Sequence, residues 1–225
     1  MEVYNDMAKN IFCIVGESGA GKTFYTNALM SDHSFLRKSK ISFLIYGTTR
    51  EPRSGEKDGV DYNFVTLEEF NNIPKDKLIE FRTYNTITGK KHYFTKTDYI
   101  ESGKSHLLCT ASLYQYESYR NWVNLENIKS PGKYNLYLII FSADVRNRLL
   151  RIIENRCKSD NEVYEACRRI VEERAEFDQV KSRVPELMDP ISYNSVLLVD
   201  TNSISAETKE ENLEKIKQFI ISKNI

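Results

Sequence analysis

The sequence predicts an α/β fold with a mainly parallel sheet, to which two smaller lobes are attached. Three observations support this prediction. Short apolar runs typical of buried strands recur along the chain, and amphipathic segments typical of helices lie between them. Two stretches, one turn-rich and one arginine-rich, interrupt that alternation. With 225 residues, the chain is long enough for one large domain that carries inserted lobes.

The apolar runs and the segments between them define the predicted elements. The predicted strands are Ile11–Val15, Ile41–Tyr46, Ser105–Thr110, Asn135–Phe141 and Ser195–Val199. The predicted helices are Lys22–Ser31, Leu67–Asn72, Ala143–Arg156, Glu162–Arg174 and Ala206–Ser222, the last with Ser205 as its N-cap. The aromatic run at 114–122 is interpreted as packing and is assigned to neither class. Because strands alternate with helices, we expect a parallel sheet covered on both faces.

Two interruptions divide the chain into five predicted segments. Residues 47–97 are turn-rich, and the TGKK stretch at 88–91 predicts a hairpin turn. Residues 151–183 contain six arginines, and Arg148 lies just before them. We therefore predict a core made of residues 1–46, 98–147 and 184–225, with one inserted lobe at 47–97 and a second at 148–183.

Composition excludes several classes of function. Lys and Arg total 32 and Asp and Glu total 32, so the chain lacks the basic excess of a general nucleic-acid or membrane-surface binder. No apolar run approaches the roughly 20 residues of a membrane span, and the N-terminal stretch lacks the apolar region of a signal peptide. The four cysteines form no CxxC pair and the three histidines are far apart, which argues against zinc. These features predict a cytoplasmic protein with reduced thiols.

A glycine-rich loop follows the first predicted strand. Residues 16–23 read GESGAGKT, which is the pattern G-x-x-x-x-G-K-T between a strand and a helix. Backbone N–H groups of such a loop surround a phosphate, and the helix directs its positive dipole end to the same place. The motif predicts a P-loop NTPase core that binds a nucleoside triphosphate, ATP or GTP, with Mg²⁺ and with Thr23 as the metal ligand. The predicted nucleotide-binding residues are Gly16, Ser18, Gly19, Ala20, Gly21, Lys22 and Thr23.

A second anion site is predicted in the stretch TTREPRSGEKDGVDYNF at 48–64. Arg50 and Arg53 present planar charged groups that suit a phosphate, and Pro52 stiffens the segment between them. Tyr62 and Tyr93 can each add a hydroxyl group. Two phosphate sites in one chain indicate transfer between two phosphorylated substrates. The alternative is a solvated basic loop that pairs with neighbouring acidic residues.

The same stretch, read as T-T-R-x-P-R-x-G-E-x-x-G-x-D-Y-x-F, closely resembles the nucleotide-monophosphate-binding lobe of guanylate kinases. The resemblance continues through VTLEEF at 65–70, GKSHLL at 103–108 and IIFSAD at 139–144. It is strong in the first 95 residues and weaker afterwards. It implies a P-loop core with an inserted monophosphate-binding lobe and a helical lid. The implied reaction is the Mg²⁺-dependent transfer of phosphate from ATP to GMP or dGMP, which gives ADP and the diphosphate.

The resemblance also implies roles for individual residues. It places the phosphate clamp on Arg50, Arg53, Tyr62 and Tyr93. It makes Glu80 the carboxylate that reads guanine and Thr95 the hydroxyl near the base. The implied catalytic residues are Lys22 and the lid arginines, which fall on Arg148 and on Arg168 or Arg169. One further lid arginine is implied at Arg151 or Arg156.

Three departures from the family pattern leave the acceptor open. Tyr46 replaces a serine that helps to read the base, Cys109 and Ala111 replace two aspartates, and Val199-Asp200 replaces Asn-Asp. The phosphate-holding groups are therefore present, while the base-reading groups are partly replaced. Thr110, Ser112 and Asp144 are the nearby polar residues available to compensate.

These departures keep two alternatives to guanylate kinase activity open. One is a kinase of the same fold that acts on another nucleotide or on a phosphorylated sugar. The other is a non-catalytic module like the guanylate-kinase-like domains of scaffold proteins. Such modules typically lose the P-loop lysine and glycines, which this chain has. The expected partners are small-molecule nucleotides rather than nucleic acids or membranes.

Overall fold

The structure is a computed structural model that describes residues 8–86, 89–102, 106–181, 184 and 193–224. Its strands are β1 Lys9–Val15, β2 Ile41–Phe43, β3 Gly47–Thr48, β4 Asn63–Phe64, β5 Leu78–Thr86, β6 Gly89–Lys96, β7 His106–Ala111, β8 Tyr134–Ser142 and β9 Val196–Asp200. Its α-helices are α1 Lys22–Ser31, α2 His33–Ser39, α3 Leu67–Asn71, α4 Thr97–Glu101, α5 Leu113–Lys129, α6 Val145–Arg156, α7 Asp160–Lys181 and α8 Ala206–Lys223. Within these ranges, no helix is both long and apolar enough to cross a membrane.

The core is a five-stranded sheet with the strand order β2-β7-β1-β8-β9. Each neighbouring pair in it is parallel. The central strand β1 has the sequence KNIFCIV, and all of its residues except Lys9 are buried. A continuous apolar run of this kind suits a parallel strand that is covered on both faces. The predicted α/β class with a mainly parallel sheet is confirmed.

Helices cover both faces of this sheet. On one face, α1, α2 and α8 pack against the sheet through Tyr25, Leu29, Phe35, Ile216 and Ile220. On the other face, α4 and α5 pack against it through Ile100, Leu113, Tyr116, Tyr119 and Val123. Alternate residues of β1 contact the two layers, as the side-chain alternation of a strand requires.

Helix α5 lies over the stretch for which the sequence analysis assigned no element. It begins after Ser112, whose hydroxyl accepts a hydrogen bond from the backbone N–H of Gln115 at 3.2 Å. The Gln115 side chain in turn accepts from the Ser112 N–H at 3.0 Å, which completes a capping box. Tyr116 and Tyr119 are buried in the core, which agrees with the interpretation of the aromatic run as packing residues.

Several predicted boundaries differ from the structure. The strand predicted for 41–46 ends at Phe43, because the chain leaves the core sheet there and enters a second sheet at Gly47. The helix predicted from Ala143 begins at Val145, after the N-cap Asp144. The helix predicted for 162–174 spans Asp160–Lys181, and ion pairs between residues four apart continue beyond 174. Ser205 is the N-cap of α8, as predicted.

The second sheet has the strand order β4-β3-β6-β5 and is formed entirely within the turn-rich stretch 47–97. Strands β5 and β6 are antiparallel, and the turn predicted at 88–91 begins at Thr88, which lies outside the described residues. A side chain at Gly47 would place its Cβ 2.3 Å from the Phe94 ring, so only glycine fits this β3 position. The division of the chain into five segments stays a prediction.

Candidate active site

A cavity of about 940 Å³ lies at the carboxyl ends of β1 and β7. Ligands of open parallel sheets bind at this edge, where loops follow the strands. All seven predicted nucleotide-binding residues line the cavity, namely Gly16, Ser18, Gly19, Ala20, Gly21, Lys22 and Thr23. Its wall also includes Arg82, Tyr84 and Gln115 from the opposite side, together with Arg151, Arg169 and Glu173 from α6 and α7.

The loop between β1 and α1 depends on its glycines. Gly19 and Gly21 have φ angles of 81° and 93°, a conformation that side-chain-bearing residues rarely adopt. A Cβ at Gly19 would also lie 2.5 Å from the carbonyl oxygen of Arg148, so helix α6 packs directly on the loop. The loop is therefore built as the motif requires, and its open side faces the cavity.

Lys22 and Thr23 form the first residues of α1. The Lys22 Nζ donates to the carbonyl oxygen of Gly16, and it lies 3.3 Å from the carbonyl oxygen of Glu17. The Lys22 ammonium group therefore lies against the backbone of the glycine-rich loop, which lines the cavity. Thr23 is exposed at the start of the helix and lines the cavity. Both residues line the cavity, and their assignment to a phosphate site stays a prediction.

A carboxylate from α7 is bound to the loop. The Glu173 oxygens accept from the Ser18 backbone N–H at 2.6 Å and from the Ser18 hydroxyl at 2.5 Å. Arg169 lies 3.7 Å from the same carboxylate and donates to the Ser18 hydroxyl oxygen at 3.4 Å. The loop therefore already holds an anionic group in this conformation. Sequence reasoning missed Glu173, because no local pattern connects it to a residue 155 positions away.

The arginines of the predicted lid lie in different environments. Arg148 is 1% exposed and pairs with Glu17 at 3.0 Å, beneath the loop rather than on the cavity wall. Arg151 donates to the Gly19 carbonyl oxygen at 3.2 Å. Arg168 is exposed and pairs with acidic neighbours on its own helix, whereas Arg169 lines the cavity. Of the two ambiguous candidates, Arg151 is at the loop, and the Arg156 side chain lies outside the described residues.

The predicted acceptor clamp is assembled around Arg50. Its guanidinium makes two hydrogen bonds to the Glu56 carboxylate, at 2.8 and 2.9 Å. Its Nε donates to the Tyr93 hydroxyl at 3.1 Å, and its guanidinium lies 5.3 Å from the centre of the Tyr62 ring. The Arg53 backbone N–H donates to the same Glu56 carboxylate at 2.7 Å, while the Arg53 side chain is exposed.

The Glu56 carboxylate occupies the fork of Arg50 in this structure. The guanidinium of Arg50 and the Arg53 N–H lower the pKa of Glu56 to about 2, so the group stays ionised at neutral pH. A planar fork that holds a carboxylate in two hydrogen bonds has the geometry to hold a phosphate. The pairing of Arg50 with Glu56 is the contact expected from the alternative, a basic loop that pairs with its own acidic residues. Binding of a phosphate by the clamp stays a prediction.

The predicted base-reading residues form a buried group behind the clamp. Glu80 of β5 lies opposite Thr95 of β6 in the antiparallel register, and it is 5% exposed. The Thr95 hydroxyl donates to Glu80 Oε1 at 2.8 Å, and the Gln115 amide donates to the same oxygen at 3.3 Å. Burial raises the pKa of Glu80, against the opposing effect of these hydrogen bonds. Its other oxygen, Oε2, is buried and has no hydrogen-bond partner among the described residues.

Three of the replaced positions, Tyr46, Cys109 and Ala111, are occupied by packed, uncharged side chains. The Tyr46 hydroxyl donates to the carbonyl oxygen of Thr110 at 2.7 Å. Cys109 faces Cys13 on the neighbouring strand, with their sulfurs 3.2 Å apart, and both are buried. Ala111 is buried at the end of β7. A tyrosine and two thiols therefore fill this part of the core.

Only some of the predicted site residues line the cavity. Tyr62 of the clamp lines it together with the glycine-rich loop. The described cavity wall does not include the remaining predicted acceptor residues, which are Arg50, Arg53, Glu80, Tyr93 and Thr95. Among the residues that sequence reasoning missed, Gln115 had a detectable signal, the S-x-x-Q capping pattern that begins at Ser112.

Comparison with known proteins finds similarity to guanylate kinases over part of the chain. A family model described as guanylate kinase matches residues 8–109. The guanylate kinase of Mycoplasma genitalium is 31% identical over 173 residues, which cover 76% of this chain and 65% of the relative. The guanylate kinase of Schizosaccharomyces pombe is 41% identical over 73 residues, covering 32% of this chain and 34% of the relative. The chain thus spans less than two thirds of the length of each of these relatives.

A solved structure, the guanylate kinase from Anaplasma phagocytophilum, aligns with a TM-score of 0.47 and 15% sequence identity. The match covers 97% of this chain and 87% of that structure.

Proposed function

We propose that the chain is a member of the guanylate kinase family and that it transfers the γ-phosphoryl group of ATP to GMP or dGMP. Its similarity to known guanylate kinases supports this proposal. The observation that carries the proposal is that two separate sites each hold a carboxylate. Glu173 binds the glycine-rich loop at 2.5 and 2.6 Å, and Glu56 binds Arg50 at 2.8 and 2.9 Å. A nucleotide hydrolase needs one such anion site, whereas transfer between two phosphorylated substrates needs two.

The donor is assigned to the glycine-rich loop. Its backbone N–H groups and the Lys22 ammonium are suited to hold the β- and γ-phosphates of ATP. The exposed Thr23 hydroxyl fits a hard cation such as Mg²⁺, which would neutralise charge on these phosphates when bound. The cradle is open toward the cavity because Gly19 and Gly21 have no side chains to fill it.

The acceptor is assigned to the clamp and to the group behind it. Arg50, Arg53, Tyr62 and Tyr93 hold the phosphate of the acceptor. The Glu80 carboxylate accepts from the N–H groups of guanine, with Thr95 beside it. An acceptor phosphate oxygen is already ionised at neutral pH, so the reaction needs no general base. Catalysis then consists of positioning and of neutralising charge.

The arginines of α6 and α7 are assigned to the transferring group. Arg148, Arg168 and Arg169 are the family-based candidates, and Arg151 joins them because it contacts the loop. Since Arg50, Arg53 and Tyr93 of the clamp lie outside the described cavity wall, we propose that the 47–97 lobe moves toward the loop when both nucleotides bind. Closure of this kind excludes water, which would otherwise hydrolyse ATP. We place the protein in the cytoplasm, in keeping with its free thiols.

One alternative acceptor is favoured by a specific observation. Tyr46, Cys109 and Ala111 occupy positions at which the family has groups that read guanine, and they are packed without charge. A same-fold kinase with another nucleotide or a phosphorylated sugar as acceptor fits this difference. A non-catalytic binding module fits less well, because Lys22 and the loop glycines are in place.

An acceptor panel tests the proposal. ADP release is measured with ATP and Mg²⁺ against GMP, dGMP, AMP, CMP and UMP. We expect GMP and dGMP to support turnover in the range of about 1–100 s⁻¹ that is typical of kinases, and the other three to support little or none. Turnover with a different monophosphate would replace the proposed acceptor. ATP binding without turnover on any monophosphate would point to a non-nucleotide acceptor or to a binding module.

A further inference from the structure

We propose that Gln115 is a positioning residue that holds the Glu80 carboxylate ready for the acceptor base. This inference rests on the proposed transfer to GMP. Gln115 lies in the first turn of α5 and supports Glu80 in a site where Cys109 and Ala111 replace the two charged residues of the family. Gln115 lines the cavity, and its amide is the contact between that wall and the buried Glu80.

The orientation of the Gln115 amide is fixed from both ends. Its Oε1 accepts the Ser112 backbone N–H at 3.0 Å, so this end of the amide must be the oxygen. The Nε2 end is then the one that faces Glu80 Oε1, at 3.3 Å. The hydrogen bond of the helix cap therefore makes the Gln115 amide a donor toward the Glu80 carboxylate. A flip of the amide would break the hydrogen bond from the Ser112 N–H.

The other support of Glu80 is also directional. Thr95 has a single hydroxyl hydrogen, and it donates that hydrogen to Glu80 Oε1 at 2.8 Å. The Tyr119 hydroxyl, 2.8 Å from the Thr95 oxygen, must then be the donor in that pair. Both supports converge on Oε1 and leave Oε2 as a buried acceptor without a partner among the described residues. An unpartnered buried acceptor is costly, and an N–H of a bound base would satisfy it.

The charge of Glu80 depends on the same contacts. Burial raises its pKa, whereas the hydrogen bonds from Thr95 and Gln115 and the charge of Arg82 on the same strand lower it. Tyr119 faces Glu80 from α5 as the neighbouring titratable group. Loss of the Gln115 donor removes one effect that favours the ionised form, so the pKa should rise further. A protonated Glu80 is a poorer acceptor for N–H groups, which links Gln115 to recognition of the base.

The direct test is a carbon-13 NMR titration of the Glu80 carboxyl group in the ligand-free protein. We expect Gln115→Leu to titrate at a higher pH than the wild type. The matched control is Ser112→Ala, which weakens the same helix cap through the hydroxyl but keeps the backbone N–H that orients Gln115. We expect that control to lower the melting temperature and to leave the Glu80 titration unchanged. An unchanged titration in Gln115→Leu, or an equal shift in both variants, would overturn the inference.

Kinetics give a second readout. We expect Gln115→Leu to raise the KM for GMP about tenfold, as for a lost hydrogen bond to a charged group, with the KM for ATP unchanged. The acid limb of kcat/KM for GMP should move to higher pH. If Gln115→Leu turned over GMP with an unchanged KM and pH profile, the inference about Gln115 would be contradicted and the proposed kinase activity would not. Since the NMR titration needs no turnover, it still decides the role of Gln115 if the proposed kinase activity itself fails.

A different observation carries a second inference, which rests on the proposed donor site. We infer that Glu173 competes with the phosphates of the donor nucleotide for the glycine-rich loop. Its carboxylate occupies two donors of Ser18, a residue assigned to ATP. Helix α7 is held over the loop by apolar packing of Ala166 and Ile170 against Ile152 of α6. The carboxylate is thus presented by a docked helix rather than by a loose side chain.

Competition follows from the geometry and from charge. The Ser18 N–H has one hydrogen and cannot serve Glu173 and a phosphate oxygen fully at once. Two anions in the same cradle also repel each other, so binding of the polyphosphate requires Glu173 to withdraw. The contact therefore reduces the affinity for the donor and couples donor binding to movement of α7.

The test measures donor affinity in the absence of an acceptor. A non-hydrolysable ATP analogue with Mg²⁺ is titrated calorimetrically into the wild type, Glu173→Gln and Glu172→Gln. Glu172 is the matched control, since it is the neighbouring residue and pairs with Arg168 on the exposed side of α7. We expect Glu173→Gln to bind about tenfold more tightly and Glu172→Gln to bind as the wild type does. Unchanged, weaker or undetectable binding in Glu173→Gln would overturn the inference, whether or not GMP is a substrate.

Discussion

Replacement of Lys22 by alanine is expected to lower kcat by about 10²- to 10³-fold, the cost of removing one preorganised group that stabilises charge in a transition state. Lys22 is the ammonium group that spans the glycine-rich loop, through its contacts with the carbonyl oxygens of Gly16 and Glu17. Negative charge on the transferring phosphoryl group would be neutralised there. The measurement is steady-state turnover of ATP with saturating GMP.

The comparison variant for Lys22→Ala is Lys129→Ala. Lys129 is an exposed lysine at the end of α5 that pairs with Glu126 at 2.6 Å. We expect it to retain wild-type turnover, and we expect both variants to melt within a few degrees of the wild type. If the Lys22→Ala protein were folded and had the wild-type kcat, the assignment of the glycine-rich loop as the ATP site would be contradicted.

Replacement of Arg50 by lysine is expected to raise the KM for GMP about 10- to 100-fold with little change in the KM for ATP. The reason is geometric, because the Arg50 fork makes two parallel hydrogen bonds to a carboxylate and a further one to Tyr93. Lysine keeps the charge but cannot reproduce that pattern. Separate saturation curves for the two nucleotides give the two KM values.

Arg37→Lys is the matched control for this experiment, since Arg37 is exposed in the last turn of α2. It should leave both KM values unchanged. If Arg50→Lys altered the KM for ATP as strongly as that for GMP, Arg50 would not be specific to the acceptor. If it altered neither, the clamp would be an ordinary surface ion pair.

The core of the fold was predictable because its signal is local. Runs such as IFCIV are buried on both faces and are recognisable without their neighbours. Helix α5 was missed because its buried tyrosines and polar residues do not give a clear apolar stripe, although the Ser112–Gln115 cap marked its start. The strand from Ile41 was predicted too long, since nothing local shows that the chain changes sheets at Gly47.

The site residues likewise include some that could be predicted from local sequence and others that depend on contacts between distant parts of the chain. The loop at 16–23 and the stretch at 48–64 are local motifs, so their residues could be named from the sequence. The contacts of Glu173 with Ser18 and of Gln115 with Glu80 join residues 155 and 35 positions apart and depend on how the helices dock. The lid arginines were ambiguous because a run of charged residues on a helix does not indicate which side chains face the cavity.

The central claim is that a phosphoryl group moves from one nucleotide to another. The most direct measurement follows the γ-phosphate of labelled ATP in the presence of GMP and Mg²⁺, with products separated by chromatography. We expect the label to appear in GDP, with one GDP formed for each ADP. Label that appears only as inorganic phosphate, or that never leaves ATP while GMP is bound, would contradict the account.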